Sequence, residues 1–68
     1  MNEIIFLVEE APEGGYTARA LSASIFTEAD DITGLREAVR DAVRCHFEDA
    51  ERPQLIRLHF TREEVIAA

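Results

Sequence analysis

The 68-residue sequence has no tryptophan, no lysine, one cysteine and two prolines. It also has no apolar run near the roughly 20 residues that cross a bilayer. Each absence excludes something. A lone thiol, Cys45, cannot close an intramolecular disulfide. The opening stretch MNEIIFLVEE has neither the basic region nor the longer apolar run of a secretory leader, so a cytoplasmic location without membrane association is expected. Scarce glycine and proline beside 47% hydrophobic residues exclude collagen-like and disordered classes.

Basic charge is also scarce. Seven bases, all arginine, stand against fourteen acids, and the net charge of −7 gives no general attraction for nucleic acid or an anionic membrane. Direct nucleic-acid binding is therefore not expected, whereas a basic protein partner is. The length fits a single domain over residues 1–68 whose core is small enough that a homo-oligomer would be a natural way to bury more apolar surface.

What is present reads as β-β-β-α-β. Residues Glu3 to Glu9 are apolar on both alternating faces, Ile4, Phe6 and Val8 on one and Ile5 and Leu7 on the other, which predicts a strand inside a sheet. APEGG supplies turn chemistry, with Gly14 and Gly15 free to take positive φ. YTARAL, Tyr16 to Leu21, predicts a second strand, and SIFT, Ser24 to Thr27, a short third one. Ile32, Leu35, Val39, Val43, His46 and Phe47 recur at helical spacing and predict a helix from about Ile32 to Glu48, with Asp31 as N-cap. Gly34 in its first turn costs about 1 kcal/mol against alanine. Gln54 to Phe60 alternates as a fourth strand, and residues 61–68 fit either a capped turn through Thr61 and Glu64 or a strand extension. Hairpins and a right-handed crossover then give an α+β fold, one mixed sheet of order 3-2-1-4 covered on one face by the helix.

That topology places Glu9, Glu10, Glu13, Glu28, Asp30 and Asp31 along one edge. Such acids serve as a solvated helix start, a docking edge or a cation site, and Glu10, Glu13, Glu28 and Asp30 are the candidate partner-binding residues. Cys45 and His46 are adjacent and point about 100° apart on a helix, and with His59 they form no metal-ligand or nucleophile spacing. No catalytic residue, cofactor or metal ligand is assigned. Arg36, Arg40 and Arg44 form a ridge that Glu37, Asp41 and Glu48 can neutralise. Gly34, Ala38 and Cys45 form a flank of small residues, which makes Ala38 and Cys45 the candidate oligomer contact.

The segments EGGYTARA and FTEADDITGLREAVRDAV resemble the HicB-like antitoxin domain over about Ile4 to Phe60. The pattern shared is an acidic-Gly-Gly-Tyr turn, a polar segment before the helix, an amphipathic helix and a short last strand. Ala29, Gly34 and the segment LSASI depart from it. The resemblance implies a fold like a partial ribonuclease H and a non-enzymatic protein that blocks a small basic RNA-cleaving toxin. Too few residues follow Phe60 for the DNA-binding segment of larger members, so operator binding is not expected. Other readings are an orphan oligomeric domain, an accessory subunit of a larger complex, and a metal-dependent nuclease resting on Asp30 and Asp31 by fold likeness alone.

Overall fold

The computed structural model describes residues 3–68. Among these residues the strands are β1 (Glu3–Glu10), β2 (Tyr16–Ala20), β3 (Phe26–Ala29) and β4 (Leu55–Phe60), and the helix is α1 (Ile32–His46). They form the expected α+β fold, with a sheet of order β3-β2-β1-β4. β1 runs antiparallel to β2 and parallel to β4, and β3 is antiparallel to β2.

The core follows from the period-two pattern of β1 meeting the helical stripe. Ile4, Phe6 and Val8 are buried, and across the ladder Phe6 faces Ala20 and Val8 faces Ala18. Small residues beside large ones let α1 lie close, and Leu35, Val39 and Val43 fill the space above the alanines. Phe6, Leu35, Val8 and Val39 are the largest fully buried side chains. Each such burial stabilises the fold by roughly 1.5–3 kcal/mol. Contacts place the helix mainly over β3 and β2.

One expectation about β1 is met in part. It is an interior strand, yet among the described residues no second layer covers its other face: Ile5 is exposed, Leu7 half-buried, and on the edge strands β3 and β4 Phe26 and Leu55 are 62% and 47% exposed. The apolar second face of β1 thus lies on a bare side of the sheet.

Three ends shift by one residue, β1 ending at Glu10, β2 at Ala20 and β4 beginning at Leu55, and three other places differ more. β3 begins at Phe26 rather than Ser24, because residues 21–24 form a tight bend in which the Ala20 N–H donates to the Ile25 carbonyl and the Ile25 N–H to the Ala23 carbonyl. Ile25 is thereby turned into the core. The helix stops at His46, since Phe47 is extended (φ −112°, ψ 143°) and its N–H donates to the Val43 carbonyl at 3.0 Å. His46 is exposed instead of lying on the buried stripe. Residues 61–68 make neither a capped turn nor a full strand. Thr61 alone continues the ladder, its N–H and Oγ1 both donating to the Val8 carbonyl at 2.9 and 3.1 Å.

Asp31 is the N-cap, its Oδ1 accepting from the Gly34 N–H at 2.6 Å. A Cβ on Gly34 would stand 3.0 Å from that oxygen, so the glycine that weakens the first turn also leaves room for the cap. Both turn glycines have positive φ, 103° at Gly14 and 83° at Gly15, but their surroundings differ. A Cβ on Gly14 meets open space, whereas one on Gly15 would lie 2.8 Å from the Ala29 carbonyl oxygen at the end of β3. Gly14→Ala is therefore expected to cost about 1 kcal/mol from backbone strain alone, and Gly15→Ala about 3 kcal/mol from strain plus steric conflict. Urea unfolding of the two variants measures the difference, and equal losses would show that the turn yields freely against β3.

Candidate functional site

The first turn, the end of β3 and the start of α1 meet at one end of the sheet. The turn closes through Ala11, whose carbonyl accepts from the Gly14 N–H and whose N–H donates to the Gly15 carbonyl, both at 3.0 Å. Gly15 packed against Ala29 draws the turn onto β3. In consequence Glu13, Glu28 and Asp30 line one open depression of about 450 Å³ together with Tyr16 and Thr17. Glu10 lies in a neighbouring depression with Glu9, Glu63 and Arg62. All four candidate docking acids are exposed.

Asp31 is committed to the helix cap and does not join them. Among the described residues no three histidine, cysteine or acidic side chains come close enough together to hold a metal ion. The acids therefore share an edge without forming a ligand set. What they offer is a field: several negative charges around a shallow, water-filled dip, suited to long-range attraction of a cationic surface.

A second concavity lies between α1 and β4, on the side that the helix leaves open. Val39, Val43, Ile56 and Leu58 provide its apolar lining, and Arg36, Arg40, Arg44 and Arg52 its basic lining. Its volume is about 450 Å³. Two arginines of the ridge are paired along the helix as their spacing predicts, Arg40 with Glu37 and Arg44 with Asp41, each at 2.7 Å. These pairs are more than half exposed and worth little. Arg36 has no ion pair among the described residues. Arg52 pairs with Asp49 at 3.0 Å, while its Nε is enclosed with no acceptor.

This groove was not legible as a site. Arg52 falls in EDAERP, a segment that reads only as the end of a helix, and nothing in the spacing shows that it faces Arg36 and Arg40. The available signal was the arithmetic of coverage, since one helical stripe is too narrow for four strands.

Other candidates remain apart. Cys45 is exposed, His46 sets its ring edge-on to Phe47 at 4.8 Å, and His59 is exposed on the opposite, bare face of the sheet. Ala38 is half-buried and Cys45 exposed on the small-residue flank of α1. On the bare face, Arg57 of β4 grips Glu3 of β1 through two bonds, Nε to Oε2 at 2.8 Å and Nη2 to Oε1 at 3.0 Å. Hydrogen bonding from Arg57 is the main cause that holds the Glu3 carboxyl below its ordinary value of 4.5, and the same bond raises the Arg57 guanidinium.

Taken together these features define a small β-β-β-α-β domain with one bare sheet face, an acidic edge and a basic-walled apolar groove. The chain belongs to the UPF0150 family. It is 62% identical over 52 residues to a UPF0150 protein of Archaeoglobus fulgidus, an alignment covering 76% of this chain and 77% of that one. It is 37% identical over 65 residues to a UPF0150 protein of Thermotoga maritima, covering 96% and 91% respectively. No protein-family model and no solved structure matches the chain. No helix among the described residues is long and apolar enough to cross a membrane.

The Glu3–Arg57 pair generates a pH dependence of definite sign. A carboxyl whose folded value is depressed contributes stability above its unfolded value, and that contribution is lost as pH falls through the lower folded value. Carboxyl NMR titration should give a Glu3 midpoint below 4.5 that returns towards 4.5 in Arg57→Ala. The corresponding loss of stability on acidification should be smaller in that variant. An unchanged Glu3 midpoint in the variant would remove Arg57 as the cause.

Proposed function

We propose that this protein is an antitoxin-type binding protein that neutralises a small basic RNA-cleaving toxin in the cytoplasm by covering its RNA-binding surface. The observation that carries this reading is the grouping of exposed Glu13, Glu28 and Asp30 around one depression, with Glu10 beside it. A toxin that grips RNA must present cationic groups to phosphates, and a complementary acidic surface captures such a face quickly and in a defined orientation. The net charge of −7 acts in the same direction at longer range. The resemblance of the Gly-Gly-Tyr turn and helix to HicB-like antitoxins supports it from the sequence side. The bare sheet face beside this edge, with Ile5 and Phe26 exposed, supplies apolar area that a charge-steered encounter can bury.

The test is co-purification from native cells at low and high salt. A small basic protein should elute with salt, cleave RNA when free, and stop doing so when the purified chain is added back. Reversal of Glu10, Glu13, Glu28 and Asp30 to lysine is expected to weaken inhibition by about tenfold or more while circular dichroism stays unchanged. Recovery of the chain with itself alone, or inhibition indifferent to these four charges, would overturn the assignment.

A further inference from the structure

β4 is the outer strand beside β1, and half of its backbone has no partner among the described residues. The Thr61 N–H donates to the Val8 carbonyl, and backbone direction alternates along a strand, so His59 and Arg57 also turn their N–H and C=O groups towards β1. Ile56, Leu58 and Phe60 therefore direct theirs outwards, along the free edge.

Stable domains guard such edges with lysine, proline, a bulge or a covering element. β4 reads LIRLHF, with neither lysine nor proline, and its ladder to β1 runs unbroken from Leu55 to Phe60. The helix lies over β2 and β3 instead. Arg57 is drawn across the sheet to Glu3 by two bonds, so its charge does not guard the edge either. The opposite edge, β3, is only four residues long.

We propose that the β4 edge pairs with the β4 edge of a second copy of this chain, antiparallel, about a two-fold axis that passes perpendicular to the sheet at Leu58. Self-complementarity selects this occupant and this register. The outward groups belong to Ile56, Leu58 and Phe60, whose side chains share the helix side of the sheet, so a copy matches hydrogen bonds and faces together only with both helices on that side. The axis must then pass through a residue. At Arg57 it would set two guanidiniums against each other and leave Phe60 opposite Gln54, which precedes the strand.

At Leu58 it sets leucine against leucine and Ile56 against Phe60, and each of these residues exchanges both backbone bonds with its opposite. Arg57 then faces His59, which has no formal charge at pH 7. Phe60, 51% exposed in a single copy, gains an apolar neighbour. Antiparallel pairing also sends the acidic ends of β1, Glu9 and Glu10, to opposite ends of the dimer, the arrangement that suits a chain of net charge −7. The interface uses neither the acidic edge nor the Ala38 and Cys45 flank, so its failure leaves the antitoxin reading intact.

Sedimentation of the unaltered protein should give a particle of twice the 7.7 kDa chain mass. Hydrogen exchange followed by NMR reads the register in the same sample: the amides of Ile56, Leu58 and Phe60 should be protected together with those of Arg57 and His59. Leu58→Lys alone and Leu58→Glu alone should each raise the dimer dissociation constant about tenfold or more, and an equimolar mixture should restore it, because opposite charges then meet at the axis. In Leu58→Lys the Ile56 and Phe60 amides should lose protection while those of Arg57 and His59 keep it, which separates dissociation from unfolding. The proposal is overturned by a monomer at about 100 µM, by a dimer of the unaltered chain whose Ile56, Leu58 and Phe60 amides exchange freely, or by a mixture that associates no better than its parts. Dissociation in Ala38→Arg while Leu58→Lys remains dimeric overturns it equally.

Discussion

One helix has to cover four strands, and it cannot. A helix with its side chains is about 10 Å across, while four strands at about 4.8 Å spacing span more than that. In this protein α1 settles over β2 and β3, where alanines at positions 18 and 20 let Leu35 and Val39 descend onto Phe6 and Val8. Everything else about the surface follows from that placement. The inner face of β4 is left as the floor of a groove, and the outer face of the sheet receives no cover from the described residues. The core is narrow, and the remaining apolar side chains of a 68-residue chain stand at its margins.

Charge is sorted by the same geometry. The acids gather where loops converge, at the turn after β1, the end of β3 and the start of α1, because loop tips keep ionised groups in water and a helix N-terminus favours anions. The arginines of α1 fall on the flank that faces β4, since the core stripe occupies the adjoining sector of the helix and their long stems can lie along the apolar floor. A protein with a strong negative net charge thus keeps a basic-walled concavity on one side and an acidic edge on another. Net charge describes the encounter with a distant partner, but the local sorting decides which face it meets.

The strand order and helix were legible because their signals were periodic and redundant. Ile4, Phe6 and Val8 mark one face of β1, the helical stripe marks Leu35, Val39 and Val43, and short connections leave little choice of topology. The ends of elements were less legible. Ile25 looks like part of an alternating strand but is turned inward by a bend held by backbone hydrogen bonds, which leave no mark in side-chain pattern. His46 fits helical spacing but is the last helical residue, exposed where the backbone opens at Phe47. The acidic edge was visible as a consequence of topology, down to the shared position of Glu13, Glu28 and Asp30. The groove was not, because it joins residues from α1 and from the segment before β4, and only packing in three dimensions sets their distance.

The parallel pairing of β1 with β4 joins Glu3 to Leu55 and Val8 to Phe60, so the first strand made is among the last to be completed. During synthesis the β1–β2–β3 meander and the helix can assemble while the final strand is still being added, since their contacts are local and their loops short. Until β4 arrives, one side of the most apolar strand in the chain presents unpaired backbone groups. The order of events along the ribosome therefore gives the last strand a protective duty: it closes an edge that any other extended chain nearby would otherwise be able to join.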